Sequence, residues 1–263
     1  MILKEGGNVF KDANGPLTQR IATKDVEATV KYIEQVTGLD FTKELGDDNK
    51  PKKWLGTTGR KEDPDGTFEL NSSGDLDLSV DSNEISKQEF KAKMEQKFGD
   101  AKVAMKGDNV HVQMPIRGNE ANGFVQADFM FSDNPKYQQG AMLGGTGQFK
   151  GMHRHIMMSS IARARGIKYS PKFGLVDPNK GDELITNDWD EIAKQLLDDP
   201  NAKEADLRSV ETINAKIKGK PDYEDLVAKA KEAFSKENLT LETASLADKN
   251  HNRVVELAKR LSR

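Results

Sequence analysis

The stretch Asn71-Ser72-Ser73-Gly74-Asp75-Leu76-Asp77-Leu78-Ser79-Val80-Asp81 decides how the rest of the chain is read. Its alternation predicts a strand that opens at a Ser-Gly turn. Leu76 and Leu78 face a core on one side, and Asp75 and Asp77 share the other. Two carboxylates held side by side on a rigid strand repel each other. A hard divalent cation between them, Mg²⁺ or Mn²⁺, removes the repulsion. The same spacing also occurs on solvated strand edges, so the pair alone leaves both readings open.

Two companion stretches bear on the choice. Trp54-Leu55-Gly56-Thr57-Thr58-Gly59-Arg60-Lys61 is an apolar lead into a glycine turn with hydroxyls and two cations. Phosphates are bound by that chemistry: close backbone approach at glycine, N–H and O–H donors, and fixed positive charge. Phe124-Val125-Gln126-Ala127-Asp128-Phe129-Met130-Phe131 is an almost wholly apolar strand holding one carboxylate. Asp128 is costly to bury there unless it is paired or metal-bound. The alternative is a strand position that faces solvent.

In this order the three pieces resemble the nucleotidyltransferase superfamily, and in detail the family X DNA polymerases (the polymerase β group). Gly56, Thr57 and Arg60 stand where that family has its Gly-Ser turn and the Arg that follows. Ser72, Ser73, Gly74, Asp75 and Asp77 match its Ser-Ser-Gly-Asp-hydrophobic-Asp strand, and Asp128 stands at its third aspartate. The similarity continues through Gly140, Thr146-Gly147, the stretch from Ile161 to Leu175 and the acidic-capped helix from Asn187 to Leu196.

The resemblance implies an α+β fold, a nucleotidyltransferase palm whose mixed β-sheet is flanked by helices, followed by a mostly helical, thumb-like region. It divides the chain into an N-terminal arm (1–22), a palm (23–145), a thumb-like region (146–220) and a helical C-terminal extension (221–263). It also implies a metal-dependent nucleotidyltransferase with two Mg²⁺ ions, Mn²⁺ being the alternative. Asp75, Asp77 and Asp128 are the implied metal-binding and catalytic set. Asp75 and Asp77 would bridge both ions, and Asp128 would complete the one beside the attacking hydroxyl. The implied nucleotide-binding residues are Gly56, Thr57, Thr58, Arg60, Lys61, Ser73, Gly74, Thr146 and Gly147, with an NTP or dNTP as the ligand.

Departures from the family bear on the acceptor. Fifty-five residues precede Gly56, and the family's lyase domain and helix-hairpin-helix DNA grips have no counterpart among them. Leu143-Gly144-Gly145 stands where the family has an aromatic pair before Thr-Gly, so sugar discrimination is open and ATP is a candidate. A DNA or RNA end is the expected acceptor. Alternatives are tRNA, a protein hydroxyl or a small molecule, and a further one is an inactive module that kept the fold.

Composition agrees with a wet, soluble chain. Of 263 residues, 35% are hydrophobic and 32% charged, and the mean hydropathy is -0.73; a core is still easily built at this length. No apolar run reaches a membrane span, and Met1-Ile2-Leu3-Lys4-Glu5-Gly6 lacks a signal-peptide apolar region. A cytoplasmic location without a membrane partner is therefore expected. The chain contains no cysteine, which excludes disulfides and thiolate metal sites. A net charge of -3 argues against wholesale nucleic-acid coating but permits a local basic face.

Along the chain, residues 1–22 carry turn residues and little periodicity. Their Gln19-Arg20-Ile21 either reaches over a substrate or packs as a tail. Helices are predicted from about Asp25 to Thr37, closed by Gly38, and from Ser86 to Phe98, closed by Gly99. Strands are predicted over Val103–Lys106 and Val110–Ile116. The turn-rich insert from Lys61 to Thr67 is either a flap over the nucleotide or a solvated hairpin. His153 and His155 are two residues apart on a predicted helix, so they face different sides and do not share a metal. Lys150, Arg154, Arg163, Arg165 and Lys168 form either a cleft-facing cation cluster or a solvated basic face. Met152, Met157 and Met158 are assigned to the core. Thin apolar stripes mark C-terminal helices over 207–218, 223–236 and 246–261, which either pack on the parent domain or, for the last, dock on a protein partner.

Overall fold

Leu76, Leu78 and Val80 alternate along one strand, and all three are fully buried. Their side of the strand is therefore the core side, and the intervening Asp77 points the other way. In the computed structural model of the chain, residues 9–45, 51–58, 72–142, 151–226 and 228 are described. The chain divides between Gln139 and Gly140 into two compact units.

The first unit opens with a hairpin, β1 (Lys11–Asp12) and β2 (Gly15–Pro16), and then β3 (Ile21–Ala22) leads into α1 (Thr23–Thr37). β4 (Trp54–Leu55), β5 (Ser72–Ser73) and β6 (Leu76–Asp81) follow, then α2 (Lys87–Phe98), β7 (Val103–Lys106), β8 (Asn109–Pro115) and β9 (Phe124–Ser132). Five of these form one sheet in the order β4-β6-β9-β8-β7. The β6–β9 pair is parallel and the other pairs are antiparallel, so the sheet is mixed.

Both helices bury one stripe against the same face of the sheet. Val26, Val30 and Ile33 of α1 recur at helical spacing, and with Phe90 and Met94 of α2 they join Leu76, Leu78, Val80, Val110, Val112, Val125 and Phe129 in one core. Phe90 lies at its centre, its ring 4.6 Å from Phe129 and 5.5 Å from Phe131. Local chemistry sets the helix ends. Gly38 takes the left-handed conformation after α1, and Ser86 and Glu89 close a capping box at the start of α2.

The opposite face of the sheet is polar yet buried: His111, Gln113, Gln126 and Asp128 are each at most 9% exposed. The N-terminal arm bonds to this region of the unit. Val9 N–H donates to Gln126 Oε1 at 2.9 Å, and Gln19 N–H donates to the Phe124 carbonyl at 2.8 Å. Residues 9–22 are thus packed against the unit.

α3 (Pro135–Ala141) runs across the boundary. The second unit comprises α4 (Gly151–Ala164), β10 (Lys168–Ser170), β11 (Gly174–Asp177), β12 (Glu183–Thr186), α5 (Trp189–Leu197) and α6 (Val210–Ile217). β10, β11 and β12 make a three-stranded antiparallel sheet. The third strand, β12, extends the β10–β11 hairpin. It is an edge strand of four residues, and only its pairing with β11 reveals it.

The basic residues around α4 divide: Arg163 and Lys168 are exposed, as on a solvated basic face, whereas Arg154 and Arg165 are turned inward. Arg154 is 1% exposed; its guanidinium lies 5.3 Å over the Trp189 ring and donates to the Gly140 carbonyl at 2.9 Å. Gly140 is needed there, since a Cβ would fall 2.1 Å from the Trp189 indole nitrogen. Arg165 reaches Asp198 and Asp222, and Lys168 pairs with Asp182. Met157 and Met158 are in the core. The residues of the insert at 61–67, Lys150, residues 229–236 of the helix expected over 223–236, and the helix expected over 246–261 lie outside the described residues. Among the described residues no helix is long and apolar enough to cross a membrane.

Truncating Phe90 leaves a cavity that the Phe129 and Phe131 rings border. Phe90→Ala is expected to cost about 3–5 kcal/mol, read as a lowered urea midpoint at unchanged slope.

Candidate metal centre

Asp77 and Asp128 meet because of register. In the parallel β6–β9 pair Asp77 lies directly opposite Asp128, and in the antiparallel β8–β9 pair Asp128 lies opposite His111. Directly opposed residues share a face, so Asp77, Asp128 and His111 form one row across three neighbouring strands. That face is opposite the hydrophobic core.

Asp75 arrives differently from the expectation. It does not stand on the strand but in the bend at Gly74-Asp75, between β5 and β6. The bend exists because the chain changes partners there. β5 pairs with β3, whereas β6 pairs with β4 and β9. Even so, ligand oxygens of Asp75, Asp77 and Asp128 all lie within 4.8 Å of one another. Among the described residues, these form the group with metal-ligand geometry.

The glycine turn closes the site from the β4 side. Leu55 pairs with Asp77, and Gly56 then takes φ +55. A Cβ on Gly56 would sit 2.6 Å from Asp77 Oδ2, so both the backbone conformation and the close approach require glycine. The two threonines divide their work. Thr58 is buried, and its hydroxyl oxygen accepts the Asp77 N–H at 2.7 Å, holding the strand beside the turn. Thr57 and Ser73 bring their hydroxyl oxygens to 2.5 Å of each other, tying the turn to β5. The structure therefore gathers Gly56, Thr57, Thr58, Ser73, Gly74, Asp75, Asp77 and Asp128. Arg60, Lys61, Thr146 and Gly147 lie outside the described residues.

Three contributors were not singled out as site residues from the sequence. Arg20 donates from Nε to the Ser72 hydroxyl and from Nη2 to the Ser72 carbonyl, each at 3.1 Å, which places its charge beside Asp75. His111 Nδ1 is 2.7 Å from Asp128 Oδ1, and Gln126 Nε2 donates to the same carboxylate at 2.9 and 3.2 Å. The signal for the last two was present as a period of two: His111 and Gln113, then Gln126 and Asp128, interrupt strands that are otherwise apolar.

Electrostatics make the site costly when no cation is bound. Burial, and then the neighbouring Asp128 charge, push Asp75 up to about 6, against the pull of Arg20 and His111. Burial, followed by Asp75 and Asp128, raises Asp77 well above the usual carboxylate range. Three carboxylates that strain to ionise together, with hard oxygen donors on one wall, fit Mg²⁺ or Mn²⁺. The histidines on α4 do not supply a second centre. His153 is buried, and the His155 ring stacks on Tyr169 with Nδ1 3.1 Å from its hydroxyl. Burial and then the Arg154 charge push His155 down to about 4.

A pH dependence follows. Between the unfolded value of 3.8 and the folded value of about 6, the folded state binds more protons at Asp75 than the unfolded chain does. Metal-free stability is therefore lost from this group as pH rises through that window. In EDTA, Asp77→Asn is expected to raise stability at pH 7.5 and to flatten that fall. Mn²⁺ should raise the melting temperature of the wild type at pH 7.5 more than at pH 5, and leave Asp77→Asn nearly unmoved. A wild type indifferent to Mn²⁺ at both pH values would contradict the metal fit. No protein-family model, no curated protein and no solved structure matches this chain.

Proposed function

We propose that this chain is a Mg²⁺-dependent nucleotidyltransferase, built on a palm of the family X polymerase type. It transfers a nucleoside monophosphate from an NTP or dNTP to a hydroxyl at a nucleic-acid end and releases pyrophosphate. The observation that carries the reading is the convergence of Asp75, Asp77 and Asp128 within 4.8 Å. The Gly56 turn packed against Asp77 adds to it. A lone acidic cluster would be weak support; a glycine turn and a guanidinium bordering the same carboxylates suit a triphosphate.

A pair of divalent ions, when bound, supplies the charge that lowers the pKa of the acceptor hydroxyl and offsets charge on the leaving pyrophosphate. Asp75 and Asp77 would hold both ions, and Asp128 would complete the one on the acceptor side. The backbone at Gly56 and Gly74, with Thr57 and Ser73, would border the β and γ phosphates. Arg20, anchored by Ser72, brings a planar set of donors to the same phosphates. No nucleophilic side chain is required.

Transfer from each α-labelled NTP and dNTP, with Mg²⁺, tests the reading on primer-template DNA, single-stranded DNA, tRNA and the protein alone. Label is expected on a nucleic-acid end, with a loss on the order of a thousandfold in Asp77→Ala, since metal binding is worth several kcal/mol to the transition state. Label confined to the protein would keep the chemistry and overturn the acceptor. No transfer to any acceptor would overturn the proposal. Arg20→Ala should raise the KM for the nucleotide about tenfold, the loss of one charge-assisted contact, with a smaller change in kcat.

A further inference from the structure

We infer that His111 and Gln126 are positioning residues that clamp Asp128 so that one carboxylate oxygen alone faces a cation. The inference rests on the metal reading above and deepens it. It starts from a chain of hydrogen bonds with every donor assigned by chemistry. The Val9 main-chain N–H can only donate, and it donates to Gln126 Oε1 at 2.9 Å. That fixes the amide, so Gln126 Nε2 is the atom turned toward Asp128, at 2.9 Å from Oδ1 and 3.2 Å from Oδ2. As a metal ligand Asp128 is a carboxylate that can only accept, and in that role it takes its bond from His111 Nδ1, 2.7 Å from Oδ1.

Both close bonds fall on Oδ1. Two donors fill its lone pairs, and among the described residues Oδ2 is left with one long contact. Oδ2 is thus the oxygen available to a cation, which makes Asp128 a one-oxygen ligand to one ion. The clamp also removes a freedom. The terminal torsion of an aspartate is broad, but here two side chains on adjacent strands, one directly opposite and one two residues along, hold it in one orientation. Gln126 is on the same face of β9 two residues away, and His111 is directly opposite on β8. His111, Gln126 and Asp128 are 6%, 3% and 9% exposed, so water does not compete freely for these bonds.

The geometry also couples the arm to the site. Val9 lies 117 residues before Gln126 in sequence and supplies the bond that orients its amide.

Mn²⁺ binding measured by electron paramagnetic resonance, with a non-hydrolysable nucleoside triphosphate, tests the clamp independently of turnover. Wild type is expected to take up two Mn²⁺ ions. His111→Phe, which keeps a ring but loses the donor, should weaken one of them by about 10–100-fold and leave the other unchanged, the usual scale for a partner behind a metal ligand. His111→Asn, whose amide N–H reaches a similar place, should recover most of that loss. Gln126→Met gives a second route that keeps length and volume without the donor, with circular dichroism checking that each variant is folded. In turnover, the same variants should lower kcat and raise the Mn²⁺ requirement while the nucleotide KM stays put. Unchanged affinity for both ions in folded His111→Phe and Gln126→Met would overturn the clamp, as would His111→Asn behaving like His111→Phe. A wild type that binds no Mn²⁺ would instead overturn the metal reading beneath it.

Discussion

Placing Asp77 opposite Asp128 across a parallel strand pair is the constraint on which the first unit depends. Strands in a sheet lie under 5 Å apart, so the register alone brings two carboxylates together, and the bend at Gly74-Asp75 adds a third. Like charges this close do not ionise together without help. Everything around them reads as accommodation of that repulsion. Arg20 stands by Asp75, Thr58 anchors the Asp77 backbone, and His111 and Gln126 donate to Asp128.

The hydrophobic core is what makes this arrangement rigid. A one-residue slip of β6 against β9 would exchange the faces of Leu76, Leu78 and Val80 with those of Asp77 and Ser79. It would expose buried aliphatic groups and bury charge among α1 and α2. Register is therefore enforced by the face that does no chemistry. The Phe90, Phe129 and Phe131 cluster stands directly behind the strand that presents Asp128.

The second unit shows how cations can be withdrawn from binding duties. Arg154 is spent on the Trp189 ring and the Gly140 carbonyl, Arg165 on two aspartates, and Lys168 on a third. A basic run in a sequence is a count of charges. Its availability to a phosphate depends on which carboxylates and rings the fold brings within reach.

Much of the first unit was legible from sequence because its signals are local. Period-two alternation around Leu76 and Phe129, helical spacing of Val26, Val30 and Ile33, and capping at Ser86 and Gly38 each depend on residues a few positions apart. So does the glycine turn at Gly56, whose φ only glycine adopts easily. The sequence by itself thus determined the main helices and central strands of the first unit, the face those strands bury, and the choice of the three aspartates as a group. Tertiary structure alone decided the rest: the displacement of Asp75 into the bend, the passage of Arg20 from the arm to Ser72, the His111 and Gln126 donors, and the burial of Arg154. Each of these is set by contacts between distant segments that form only when β3 meets β5, β8 meets β9 or α4 meets α5; the period of two marks His111, Gln126 and Asp128 as polar strand positions but does not show that they meet.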